Sequence, residues 1–148
     1  MVVEIPLVVS GDETIVRGIV HPHHFRSGKL HWAAFKPPPE KVDVSVIRND
    51  YVGVEFCRKK AKSLEAGDKK YHGLAFLLTR DVRTAGPDVV DSRKEYLGHA
   101  DIIHTQAAPP KGEPPDEFQE MMEACKALLK CAKFKEDPDP NLKAAWVG

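Results

Sequence analysis

Apolar positions fall in short dense runs separated by Pro, Gly and charged turns, and two stretches carry helical spacing. Val2 to Val9 is rich in Val, Ile and Leu, and its short length and β-branched content predict a strand. Pro6 has no N–H to give a ladder, so this strand is expected at an edge. Ser10-Gly11-Asp12-Glu13 is a turn signal and Thr14 to Val20 a second apolar run, so the two are expected to form a hairpin. His21-Pro22 closes that strand. Leu30 to Phe35 reads as a short strand or one helical turn, cut off by the stiff Pro37-Pro38-Pro39.

Val42 to Ile47 alternates with period two, placing Val42, Val44 and Val46 on one side. Asn49 or Asp50 suits an N-cap. Val54, Cys57, Ala61 and Leu64 then recur at helical spacing among Arg58, Lys59, Lys60 and Lys62, predicting an amphipathic helix over 50–66 that ends at Gly67. Gly73 to Thr79 is a continuous apolar run, the mark of a strand covered on both faces, with Val82 extending it. Val89-Val90 and His99 to His104 are further strand candidates. After the Pro-rich connector Ala107 to Asp116, one unbroken stripe runs through Phe118, Met121, Met122, Cys125, Leu128, Leu129 and Ala132. It predicts a closing helix over 114–134, with Pro114 and Pro115 near its start and Asp116 and Glu117 at its positive end.

These elements predict a single α+β domain over residues 1–134. Its mainly antiparallel sheet has about five or six strands, with a middle helix and a C-terminal amphipathic helix packed on one face. The first two runs are too close for a crossover helix, which excludes a doubly wound fold. Residues 135–148 are expected to form a loosely ordered tail unless Trp146 docks on the body.

Composition adds few constraints. The chain has 148 residues, enough for one core, and equal numbers of basic and acidic residues (22 each). A neutral chain has no general pull toward nucleic acid or anionic membrane. Arg26, Lys29, His31, Trp32, Phe35 and Lys36 interleave basic and aromatic types, but zero net charge makes nucleic acid an unexpected partner. No apolar run approaches the roughly 20 residues of a membrane helix. The N-terminal run has no positive flank and reads as a mature strand, so no membrane partner is expected. Three cysteines, Cys57, Cys125 and Cys131, cannot all pair within the chain and suit a reducing cytoplasm.

Two constellations carry candidate chemistry. Four of the seven histidines lie between Arg17 and Phe35. If the His21-Pro22-His23 turn meets the strand bearing His99 and Asp101, then His21, His23, His99 and Asp101 would suit a divalent transition metal. Separately, Arg17 and Arg48, with His24, outline a pocket for a small anionic ligand near a helix N-terminus. No phosphate-binding glycine motif accompanies them, and no serine sits in a nucleophile-elbow setting. The expectation is a small cytoplasmic binding or accessory module. The alternative is a metal-assisted hydrolase or a transferase acting on a phosphate-bearing or nucleotide substrate. A homodimer through the C-terminal helix is a further expectation.

Overall fold

The alternating segments become the strands of one sheet in the computed structural model, which describes residues 4–113 and 117–147. β1 (Thr14–His21) is followed by a small separate hairpin, β2 (Phe25–Arg26) and β3 (Lys29–Leu30), and then by β4 (Asp43–Arg48). Two short helices, α1 (Asn49–Val52) and α2 (Val54–Lys62), lead to β5 (Lys70–Leu78) and α3 (Thr79–Thr84). β6 (Asp88–Asp91), β7 (His99–Ile103), α4 (Gln119–Cys131) and β8 (Lys133–Glu136) complete the domain. The sheet runs in the order β6-β7-β4-β1-β5-β8, and every neighbouring pair is antiparallel. The fold is thus the single α+β domain that the pattern predicts.

The helices divide between the two faces of the sheet, where one face was expected to carry both. On one face α4 buries Met121, Cys125 and Leu128 against Ile15, Ile19, Val46, Ala75, Leu77 and Ile102, joined by Phe35. On the other, α2 buries Cys57 and Ala61 against Val16, Ile47, Tyr71 and Leu74. Strand alternation supplies both sets, since successive side chains leave opposite faces. The α4 stripe is therefore used within the chain, and burial raises the Cys57 and Cys125 thiols to about 12. No helix among the described residues is long and apolar enough to cross a membrane.

Several local expectations need correction. Glu4–Val9 is irregular, with Leu7 and Val8 exposed to 71% and 77%. Pro6 cannot enter a ladder, and the carbonyls of Ile5, Pro6, Val8 and Val9 accept from the guanidinium groups of Arg93, Arg48 and Arg83 instead. Val2, Val3 and the start of the closing helix at 114–116 lie outside the described residues. Leu30 to Phe35 divides into β3 and a 3-10 turn, Trp32–Phe35, whose Ala33 N–H donates to His31 Nδ1 at 3.1 Å. The helix expected over 50–66 is interrupted at Gly53, whose φ of +83° belongs to glycine. Val82 lies in α3, not at the end of a strand. The closing helix stops at Cys131, and residues 133–136 add β8 to the edge of β5. Beyond β8 no regular structure follows among the described residues, but the Asp137 carboxylate is buried and Trp146 N–H donates to Glu55 at 2.8 Å.

α2 lies close to β1 because position 18 has no side chain. A Cβ there would stand 2.7 Å from Ala61 Cβ and 3.3 Å from Leu64 Cδ1. Gly18→Val is expected to cost about 1–3 kcal/mol by overpacking, read as a lowered urea midpoint at unchanged slope. An unchanged midpoint would mean that α2 shifts freely on the sheet.

Candidate functional site

α2 lies over β1 and β5. Beyond them, on the same face of β4, β7 and β6, a cleft of about 630 Å³ opens among the described residues. That size is typical of small-molecule sites. Alternation aims the polar positions of β4, Asp43 and Ser45, into this space while Val44 and Val46 enter the core. In the ladder Ser45 faces Asp101 and Ile47 faces His99, so the four polar side chains form one surface. The loop after β6 adds Ser92, Arg93, Lys94 and Glu95, and Leu7 closes one side.

Hydrogen bonding within this surface determines what it presents. Ser92 Oγ lies 2.5 Å from His99 Nδ1, in a hydrogen bond whose direction follows the imidazole tautomer, and the nearby Ser92 hydroxyl favours the ionised form of Asp101. His99 is only 6% exposed, and Nε2 has no partner among the described residues. Tyr96 lies edge-on against its ring at 4.9 Å.

The charges point the same way. Asp43, Glu95 and Asp101 form no ion pair among the described residues. Burial raises the Asp101 carboxyl above its ordinary range; Ser92 and His99 oppose the rise, and Asp43 and Glu95 add smaller contributions to it. By contrast, Asp91, at the rim, is fully engaged by Arg48 at 2.8 Å and by Arg93 at 2.8 Å. The cleft therefore carries three carboxylates without an ion pair among the described residues, with Lys94 lining the same space.

The residues singled out from the sequence are dispersed. His99 and Asp101 share the cleft. His21 lies at the far end of β1, opposite Lys70, with its ring 6.1 Å from that of His72. β1 meets β4 at Ile15–Arg48 and Val16–Ile47, so the His99 end of β7 lies beside the start of β1 and not its finish. His23 is exposed, with Nε2 3.6 Å from Asp68. Among the described residues no group of three or more His, Cys, Asp or Glu side chains is placed to hold a metal ion.

The three residues assigned to an anion site have structural partners. Arg48 is completely buried between Glu13 at 2.7 Å and Asp91 at 2.8 Å, out of reach of any ligand. His24 Nδ1 accepts from Val20 N–H at 3.2 Å. Burial, with Arg17, His23 and Lys69 nearby, pulls its pKa down to about 3, so it stays neutral. Arg17 fills a gap in the sheet. β1 and β4 pair at only two positions, and beyond them Arg17 donates to Ser45 O and Ala34 O, both at 3.0 Å. Of the proposed stacking residues Phe35 is fully buried, and Arg58 leaves the basic helix surface to pair with buried Asp137.

The fold and this cleft define a small α+β domain with an open polar site on one half of its sheet. Comparisons with protein-family models, curated proteins and solved structures return no match.

Proposed function

We propose that this chain is a binding module whose ligand sits in the cleft over β4, β7 and β6 and presents hydrogen-bond donors, foremost a cationic amine. One observation carries the reading: Asp43, Glu95 and Asp101 face a half-buried space together with His99, and among the described residues none of the three forms an ion pair, Arg93 being held by Asp91 and Lys94 lining the same space unpaired. Clustered like charges cost the fold energy. A cationic ligand offsets that cost, which is the pattern expected where binding and stability compete. The cleft's chemistry thus favours a cation over the anionic ligand suggested by Arg17, Arg48 and His24. Free thiols fit action in the cytoplasm.

Asp101→Asn separates binding from folding. A carboxyl whose pKa is raised in the fold favours the folded state while protonated, and that contribution is lost as pH rises through the folded value. Ionised Asp101 therefore opposes folding at neutral pH. Asp101→Asn is expected to melt no lower than the parent at pH 7, and any advantage should vanish as pH falls below the carboxylate range. The same variant should lose amine binding by about tenfold or more. In a thermal-shift screen of small amines, a binder at about 100 times its Kd should add about 2.7 kcal/mol to the parent, or roughly 5–10 °C. If no amine shifts the parent, or if Asp101→Asn responds equally, the reading fails. Chemical conversion of a bound amine would make the module an enzyme.

A further inference from the structure

We propose that the ligand of this cleft is a small zwitterion, with its ammonium group among Asp43, Glu95 and Asp101 and its anionic group in the adjoining recess beside Lys60. This rests on the cleft reading above and supplies the other end of the ligand.

The recess holds about 50 Å³ and is lined by Arg17, Gly18, Ser45, Lys60, Leu64 and Tyr96, among others. It shares Ser45 with the cleft, so the two spaces adjoin. A water claims about 30 Å³ of liquid, so the recess suits a group of carboxylate size and little more. It holds no carboxylate, whereas Asp43, Asp91, Glu95 and Asp101 line the cleft beside Arg93 and Lys94. Lys60 Nζ stands over the Tyr96 ring, 4.2 Å from its centroid, and 5.6 Å from that of Phe56. Two aromatic faces thus hold the ammonium group. Neither Lys60 nor Arg17 forms an ion pair with a carboxylate among the described residues, and the Arg17 guanidinium donates to two carbonyls instead.

Spacing keeps the two ends close. Asp101 faces Ser45 across the ladder, where side chains lie about 5 Å apart, and Ser45 borders the recess. A compound with an amine alone leaves Lys60 without a counter-charge. One with an acid alone leaves three carboxylates without a cationic partner. A compact molecule carrying both satisfies each side.

The test is calorimetric titration of the full chain with the series glycine, β-alanine, γ-aminobutyrate and 5-aminopentanoate. Each is compared with the unsubstituted amine and the unsubstituted acid of matching length. One member is expected to bind at least about tenfold tighter than its matched amine, the ratio of one well-made charge pair. Lys60→Met, which keeps an apolar stem on Tyr96 and Phe56, should remove that ratio while Asp101→Asn removes binding of amine and zwitterion alike. Amines binding as tightly as every zwitterion, or a ratio unchanged in Lys60→Met, overturns the zwitterion and leaves the cleft reading intact. If neither amines nor zwitterions bind, the cleft reading falls and this inference with it.

Discussion

Arg48→Met is expected to be among the most destabilising single changes in this chain, at about 3–5 kcal/mol. Arg48 donates to both oxygens of Glu13, at 2.8 and 2.7 Å, and to Asp91 at 2.8 Å, with all three side chains nearly inaccessible. It also donates to the carbonyls of Pro6 and Val8. Methionine fills much of the same volume but leaves two buried carboxylates facing each other and releases the Glu4–Val9 segment. Burial alone would raise the Asp91 carboxyl, but Arg93 and Arg48 outweigh it and hold it below the usual range. Methionine at 48 removes part of that hold. Arg80→Ala is the contrast, since its pair with Asp12 is 59% and 85% exposed. Such pairs contribute about 0–1 kcal/mol. Urea unfolding of both variants measures the difference. Equal losses would mean that the buried cluster adds no more than a surface pair.

Asp137→Ala is expected to be comparably severe, again about 3–5 kcal/mol, out of the 5–15 kcal/mol typical of a domain. Asp137 accepts a two-pronged bond from Arg58, 2.7 Å to each oxygen, together with the Tyr71 hydroxyl and Asp139 N–H. Its loss leaves Arg58, 1% exposed, with Glu55 as its remaining carboxylate partner. The Arg58 guanidinium also stands 5.8 Å from the Trp146 ring, so indole fluorescence should change with unfolding of the tail. Burial by itself would raise the Asp137 carboxyl, but the Arg58 and Tyr71 hydrogen bonds prevail and lower it. A lowered carboxyl contributes stability above its unfolded pKa, about 3.9, and that contribution is lost as pH falls through the folded value. The gap between parent and Asp137→Asn should therefore narrow below about pH 4. A gap that is constant with pH would show that the charge is not what Asp137 contributes.

Both clusters explain which parts of the molecule were legible beforehand. The strand at Val42–Ile47, the run at Gly73–Thr79 and the α4 stripe each follow from local periodicity, and burial reproduces that periodicity. The N-terminal run was misleading because periodicity does not reveal that three arginines, 83, 93 and 48, would compete for its carbonyls. Residues 133–136, KFKE, carry a single apolar position and gave no strand signal, yet they pair with β5. At the site, the i, i+2 spacing of His99 and Asp101 correctly places both on one face. The opposite side of that face was also readable, since Asp43 and Ser45 alternate with buried valines. What could not be read was the pairing of β4 with β7, a contact across more than fifty positions of sequence. Without that pairing the histidine-rich turn looked like the natural neighbour of His99.

The two-position contact between β1 and β4 leaves the sheet as a pair of three-stranded leaves joined along a short spine. Past Val16 the join depends on Arg17, whose guanidinium spans from Ser45 O to Ala34 O in place of main-chain bonds. A molecule lying across cleft and recess would rest on both leaves at once and act as a splint over the weakest line of the fold.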